Sequence, residues 1–175
     1  AGSGVWKNGT STNNWSANTA VNAGWGGTSG TVPGGTNDGP GFGKPNEAGH
    51  IATFNNQVTN YAGGLVNQDV VGLTIGCIYL SDSGSGGYNI SGNAITLDHG
   101  SLNSDVLVSS GSHTISTPLT VVGRGLAIET TGAGSQVALN GNITASGNSA
   151  FTGAVKPLTK TGAGTWVLAP NNAIE

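Results

Sequence analysis

The chain has 175 residues, enough for one domain or for one domain with an extension. Only 7% of them are charged, against roughly 25% in an ordinary soluble domain. The net charge is −3 and the five basic residues are scattered. Nothing therefore resembles the basic patch that nucleic acid requires, and no apolar run approaches the ~20 residues of a membrane-crossing helix.

Residues 1–69 read as an irregular N-terminal cap or extension. Trp6, Trp15 and Trp25 fall here, with Phe42 and Phe54, among turns such as Val32-Pro33-Gly34-Gly35. Glycine and proline at this density forbid long helices. Three tryptophans in a loop-rich stretch need something to bury them, and the expectation is a cap over one end of a β core. An exposed aromatic platform for surface glycans would use the same residues. The start Ala1-Gly2-Ser3-Gly4 suits signal-peptide cleavage, so the expected location is extracellular or at the cell surface.

From residue 70 to 175 the pattern changes to short β-prone runs between Gly, Ser and Asn turns. They are Leu73–Ile75, Ala94–Leu97, Val106–Val108, Pro118–Val122, Leu126–Ile128, Gln136–Leu139, Asn142–Thr144 and Thr165–Leu168. Each is too short for a helix and alternates or runs apolar as strands do. Cys77 lies in the apolar run Gly72–Leu80 and reads as a small buried hydrophobe. One leading strand per coil, starting near Leu73, Ile95, Leu119, Val137 and Leu158, gives steps of 22, 24, 18 and 21 residues. Such spacing suits a solenoid with variable loops, two or three strands per coil and inward Leu, Ile and Val stacked on the coil below. A sandwich also has short strands at regular spacing. Hydroxyl and amide corners, with few charges to stack on one another, favour the all-β solenoid.

The segment Pro157-Leu158-Thr159-Lys160-Thr161-Gly162-Ala163-Gly164-Thr165-Trp166-Val167-Leu168-Ala169-Pro170-Asn171-Asn172 resembles the autotransporter-associated β-strand repeat. Leu158, Lys160, Gly162, Gly164, Thr165, Leu168 and Asn172 fall in step with that repeat, and Trp166 stands where it usually has Leu. Thr131–Leu139 looks like a degenerate copy. Trp6, Asn14-Trp15-Ser16, Trp25, Pro33, Asp38 and Phe54 are similar to the opening of such proteins. The resemblance implies a right-handed parallel β-helix on an outer cell surface or in the medium, building a stalk or passenger scaffold without chemistry. The membrane barrel of a true autotransporter has no room here, so the resemblance implies a released fragment or a free-standing relative.

A search for chemistry supports that expectation. The acidic residues Asp38, Glu47, Asp69, Asp82, Asp98, Asp105, Glu129 and Glu175 do not cluster in sequence, apart from Asp98 and Asp105. Asp98 adjoins His99, and a solvated turn is the better reading. His50, His99 and His113 lack a metal-ligand spacing on a helix or hairpin. No catalytic residue, metal or cofactor is expected. Thr159, Thr161 and Thr165 could suggest an ice-binding face, but threonines are not expected to recur on one face of every coil. Sequons at Asn8, Asn14, Asn89 and Asn142 report compatibility with glycosylation and no more.

The function expected from these readings is an extracellular structural subunit that self-assembles end to end into a fibre or surface layer. An adhesin or glycan-binding fragment using the Trp-rich end is the alternative. The partners are then other copies of the chain, head to tail, and surface glycans under the alternative, with no nucleic acid and no membrane insertion. The expected interface is Thr165, Trp166, Val167 and Leu168 at one end, with Trp6, Trp15 and Trp25 at the other. Leu119 and Val137 are placed inward, and Ser135 on a turn.

Overall fold

The computed structural model describes residues 3–7, 14–15, 18–19, 23–26, 47–55, 64–82, 86–145 and 158–169, with the backbone alone at 3–7, 18–19 and 23–26. Short alternating runs, closed by Gly, Ser and Asn corners, form strands of 2 to 7 residues and no helix among the described residues. The first are β1 (Ser3–Lys7), β2 (Asn18–Thr19), β3 (Ala23–Gly26), β4 (Ile51–Phe54), β5 (Leu65–Gln68) and β6 (Thr74–Ile75). Then come β7 (Cys77–Ser81), β8 (Asn89–Gly92), β9 (Ile95–Asp98), β10 (Ser104–Ser110), β11 (Ser112–Ile115) and β12 (Leu119–Val122). The last are β13 (Leu126–Thr130), β14 (Gln136–Leu139), β15 (Ile143–Ala145), β16 (Leu158–Thr161) and β17 (Thr165–Leu168).

From β4 onward each strand pairs in parallel with the third strand after it. One sheet runs β4-β7-β10-β13-β16, a second β5-β8-β11-β14-β17 and a third β6-β9-β12-β15. Three strands make one coil, and coils stack to form a parallel β-solenoid. Alternation along each strand sends every second side chain inward, and parallel register sets like on like. Val66, Ile90, Ile115, Leu139 and Leu168 make one inward column. Ala52, Ile78, Val106 and Ile128 make another, and Ile75, Leu97 and Val121 a third. Each fully buried Val, Leu or Ile contributes about 1.5–3 kcal/mol, so the columns hold the stack together without help from charge. Leu119 and Val137 are both buried inward residues.

The three-sheet arrangement corrects the coil count read from sequence. Leu73, Ile95 and Leu119 do lead the third sheet, but Val137 belongs to the second and Leu158 to the first. Each of the three faces includes strands with the same apolar alternation, such as β10, β14 and β12, so such a strand's face is not visible in its residues. The parallel sheets also begin before residue 70. β4 and β5 are members of the first coil, with Ala52, Phe54 and Val66 in the core. At the N-terminal end β1 pairs in parallel with β4 but antiparallel with β3, so the long sheet changes direction there and the parallel stack stops.

Candidate functional site

Strand alternation places Cys77 on the outer face of β7, alongside Tyr79 and Ser81, while Ile78 and Leu80 point inward. Cys77 is nevertheless only 8% exposed, because polar groups cover it. Its register partner one coil on is Asp105. The third member, His99, comes from the corner between β9 and β10. That corner is tight: Asp98 Oδ1 accepts from the Gly100 N–H at 2.8 Å, Gly100 adopts φ 63, and Leu102 N donates to the His99 carbonyl at 3.2 Å. The turn swings the imidazole over β7 and β10.

Cys77 Sγ lies 3.4 Å from His99 Nδ1 and 4.0 Å from Asp105 Oδ2. One ligand atom from each residue lies within 4.8 Å of the others. His99 Nδ1 is also 3.0 Å from the Asn103 carbonyl oxygen. Burial pushes the Cys77 thiol up from its ordinary value; the Asp105 backbone N–H opposes that shift and the Asp105 charge adds to it. The Asp105 carboxyl is raised too, first by burial, with His99 opposing and Glu129 reinforcing. A nucleophilic cysteine requires the opposite, a thiol lowered by its surroundings. A triad would also set the carboxylate on the imidazole, whereas here Asp105 approaches the thiol. The donor set instead matches a divalent transition metal: one sulfur, one imidazole nitrogen and one carboxylate.

None of these three was singled out as a site from sequence. Cys77 was read as a small buried hydrophobe; it is buried, but on the outward side of β7 beneath polar groups. His99 was read as part of a solvated turn and is half-buried. The residues lie 22 and 28 apart from Cys77, about one coil, and only a coil period read correctly would have brought them together.

The expected interface residues are distributed differently. Trp6 and Trp25 are register partners across β1 and β3, and their side chains lie outside the described residues. Trp15 is fully buried, its ring 5.7 Å from that of Phe54, and its backbone N–H donates to the Asn67 carbonyl at 2.7 Å. It closes the first coil from within and presents no face to a sugar or a partner. In β17, Trp166 and Leu168 are inward, stacked on Val137 and Leu139, and remain partly buried. Thr165 and Val167 point outward, and Val167 is 43% exposed. Two of the four thus belong to the end of the stack and two to its flank.

Threonines do recur on one face, against the expectation from sequence. Thr74, Thr96, Thr120 and Thr144 stand in register along the third sheet, and Thr120 Oγ1 is 3.4 Å from Thr144 Oγ1. They make a single file of threonines along the stack, in which Thr74 Oγ1 donates instead to the Gly72 carbonyl at 3.5 Å.

No protein-family model, curated protein or solved structure matches the chain.

Proposed function

We propose that this chain is a structural, non-catalytic β-solenoid of the extracellular passenger type, which extends by stacking a further coil, from a second copy, on its C-terminal rung. One observation carries the reading: the column Val66, Ile90, Ile115 and Leu139 runs unbroken to Leu168 in β17, and Leu158, Trp166 and Leu168 stay half-buried over fully buried register partners. β16 and β17 are the last strands of their sheets among the described residues. Their outer backbone groups and apolar side chains suit one more parallel rung. The inward Lys160 does not block that rung, because its Nζ turns aside to the Gly162 carbonyl at 2.5 Å and leaves the stem over the core. A parallel incoming coil must arrive head to tail, a contact that does not close and so makes a filament.

The resemblance of residues 157–172 to the autotransporter-associated repeat supports this role, since that segment forms the β16–turn–β17 rung. The glycan-binding alternative is weaker, because Trp15 is enclosed.

Sedimentation velocity across a concentration series tests the proposal. The parent chain should form larger species as concentration rises, and Leu168→Asp should hold it monomeric while its circular dichroism stays β-rich. Val167→Lys, on the flank, should assemble as the parent does. A parent that is monomeric throughout, or a Leu168→Asp variant that assembles normally, would end the reading.

A further inference from the structure

We propose that Cys77, His99 and Asp105 form a zinc-type metal site that staples two successive coils.

The case begins with the donors. Three potential ligands of three kinds converge from β7, the β9–β10 corner and β10. Thiolate and imidazole together exclude a site built for calcium or magnesium, which take oxygen ligands, and suit zinc or a similar borderline ion. The distances agree. Zinc bound tetrahedrally at about 2.3 Å from sulfur and about 2.0–2.2 Å from nitrogen or oxygen sets its ligands about 3.6 Å apart. The observed separations from Sγ are 3.4 Å to His99 Nδ1 and 4.0 Å to Asp105 Oδ2. All three ligand atoms lie within 4.8 Å of one another, so closing the cluster on an ion needs side-chain adjustment and no change of rung.

The second part of the case is electronic. His99 Nδ1 faces two electron-rich atoms, Cys77 Sγ and the Asn103 carbonyl oxygen, with the Asp105 carboxylate beside them. A proton on Nδ1 serves one acceptor at a time. A cation at their centre satisfies the imidazole, the sulfur and the carboxylate together. Binding is balanced in protons: the metal replaces the thiol proton, which leaves to solvent, and the imidazole proton that Nδ1 donates to the Asn103 carbonyl moves through solvent to Nε2, so that Nδ1 takes the metal. Three protein ligands leave a fourth position for water or the Asn103 carbonyl.

The third part is rigidity. Cys77 and Asp105 are register partners on adjacent rungs, and the His99 corner is fixed by its own hydrogen bonds. The backbone that carries the donors is set by stacking rather than by the ion, so the site is preorganised. An ion there adds a coordinate link to rungs already joined by the ladder, the apolar columns and the Tyr79–Ser109 and Ser81–Ser110 hydroxyl contacts.

The test uses the purified full chain, stripped of metal and titrated with cobalt(II), then with zinc(II). The expected result is one equivalent bound, a thiolate-to-cobalt charge-transfer band, displacement of cobalt by zinc, and a rise in Tm with zinc. Magnesium and calcium should not displace it. Cys77→Ser should abolish the band with the β-rich dichroism intact. His99→Gln and Asp105→Asn should each weaken binding by more than the roughly 10–100-fold lost when only a supporting partner of a ligand is removed. These two variants carry the test if Cys77→Ser fails to fold. No thiolate band in the parent would overturn the proposal. So would binding unchanged in His99→Gln and Asp105→Asn, which would mean a lone thiol capturing an adventitious ion.

Discussion

The backbone N–H of Tyr88 donates to Nδ1 of His113 on the next coil at 3.0 Å, with the two rings stacked at 5.7 Å and 11°. His113 sits where the neighbouring coils place Val137 and then Trp166, an inward position otherwise apolar. Its Nε2–H donates to the Ser110 carbonyl at 2.7 Å, which fixes the neutral tautomer. Burial depresses the His113 pKa below its ordinary value, opposed by the Ser110 hydrogen bond and the Asp82 charge.

A pH dependence follows with a definite sign. Below the ordinary histidine value of about 6.5 the unfolded chain binds a proton that the folded chain refuses. The stabilisation is complete above about pH 6.5 and is lost as pH falls from there toward the depressed folded value, with a slope of at most about 1.4 kcal/mol per pH unit. Urea midpoints between about pH 5 and pH 7 should therefore fall more steeply for the parent than for His113→Gln. Equal slopes would contradict the assignment.

Leu119→Asp and Val137→Asp should unfold the chain or cost several kcal/mol, since each puts an unpaired carboxylate in a fully packed column. Ser135, read from sequence as a turn position, is 3% exposed and its Oγ donates to the Gly132 carbonyl at 2.6 Å. Ser135→Asp should accordingly be costly as well, and Ala133→Asp on the exposed tip of the same turn should be nearly silent. Chemical denaturation of the four variants separates these outcomes.

The turn between β16 and β17 depends on its glycines. Gly162 has φ 81, and a Cβ there would lie 2.2 Å from the Thr130 carbonyl oxygen. A Cβ on Gly164 would lie 2.4 Å from the Ser135 carbonyl oxygen. Both are backbone atoms of the coil below and cannot swing away. Gly162→Ala and Gly164→Ala should each cost about 1–3 kcal/mol, seen as a fall in Tm, while Ala163→Ser leaves Tm unchanged.

Gln68 is fully buried and acts as a corner clamp. Its Nε2 donates to the carbonyls of Val70, Asn93 and Ala94 at 2.9, 3.1 and 3.0 Å, and its Oε1 accepts from Val70 N at 2.6 Å. Gln68→Leu strands the Val70 N–H and should cost about 1–3 kcal/mol. Gln68→Glu aims a carboxylate at three carbonyls and should cost more. Comparable stability for all three chains in denaturant would refute the clamp.

What could be read in the sequence was the solenoid's apolar grammar. Gln136–Leu139 and Thr165–Leu168 are strands at the expected residues because inward Val137, Leu139, Trp166 and Leu168 alternate with outward Gln136, Ala138, Thr165 and Val167. Strands with polar inward residues were illegible: β11 reads Ser-His-Thr-Ile and β5 ends on an inward Gln68, so neither shows apolar alternation. The Cys77–His99–Asp105 cluster was hidden for another reason. Its members are brought together by register between coils, a long-range property that no local window contains. Cys77 also looks apolar beside Ile78 and Leu80, although it faces the other way.

The ladder in which each strand pairs with the third after it has a mechanical meaning. Hydrogen bonds between coils all point along the stacking axis. Tension applied along that axis loads one rung interface after another in series, so the weakest interface yields first and the chain pays out coil by coil. Torque about the axis acts across the three sheets at once. The fold should thus resist twisting more than stretching and extend in steps when pulled, with the least well packed rung yielding first.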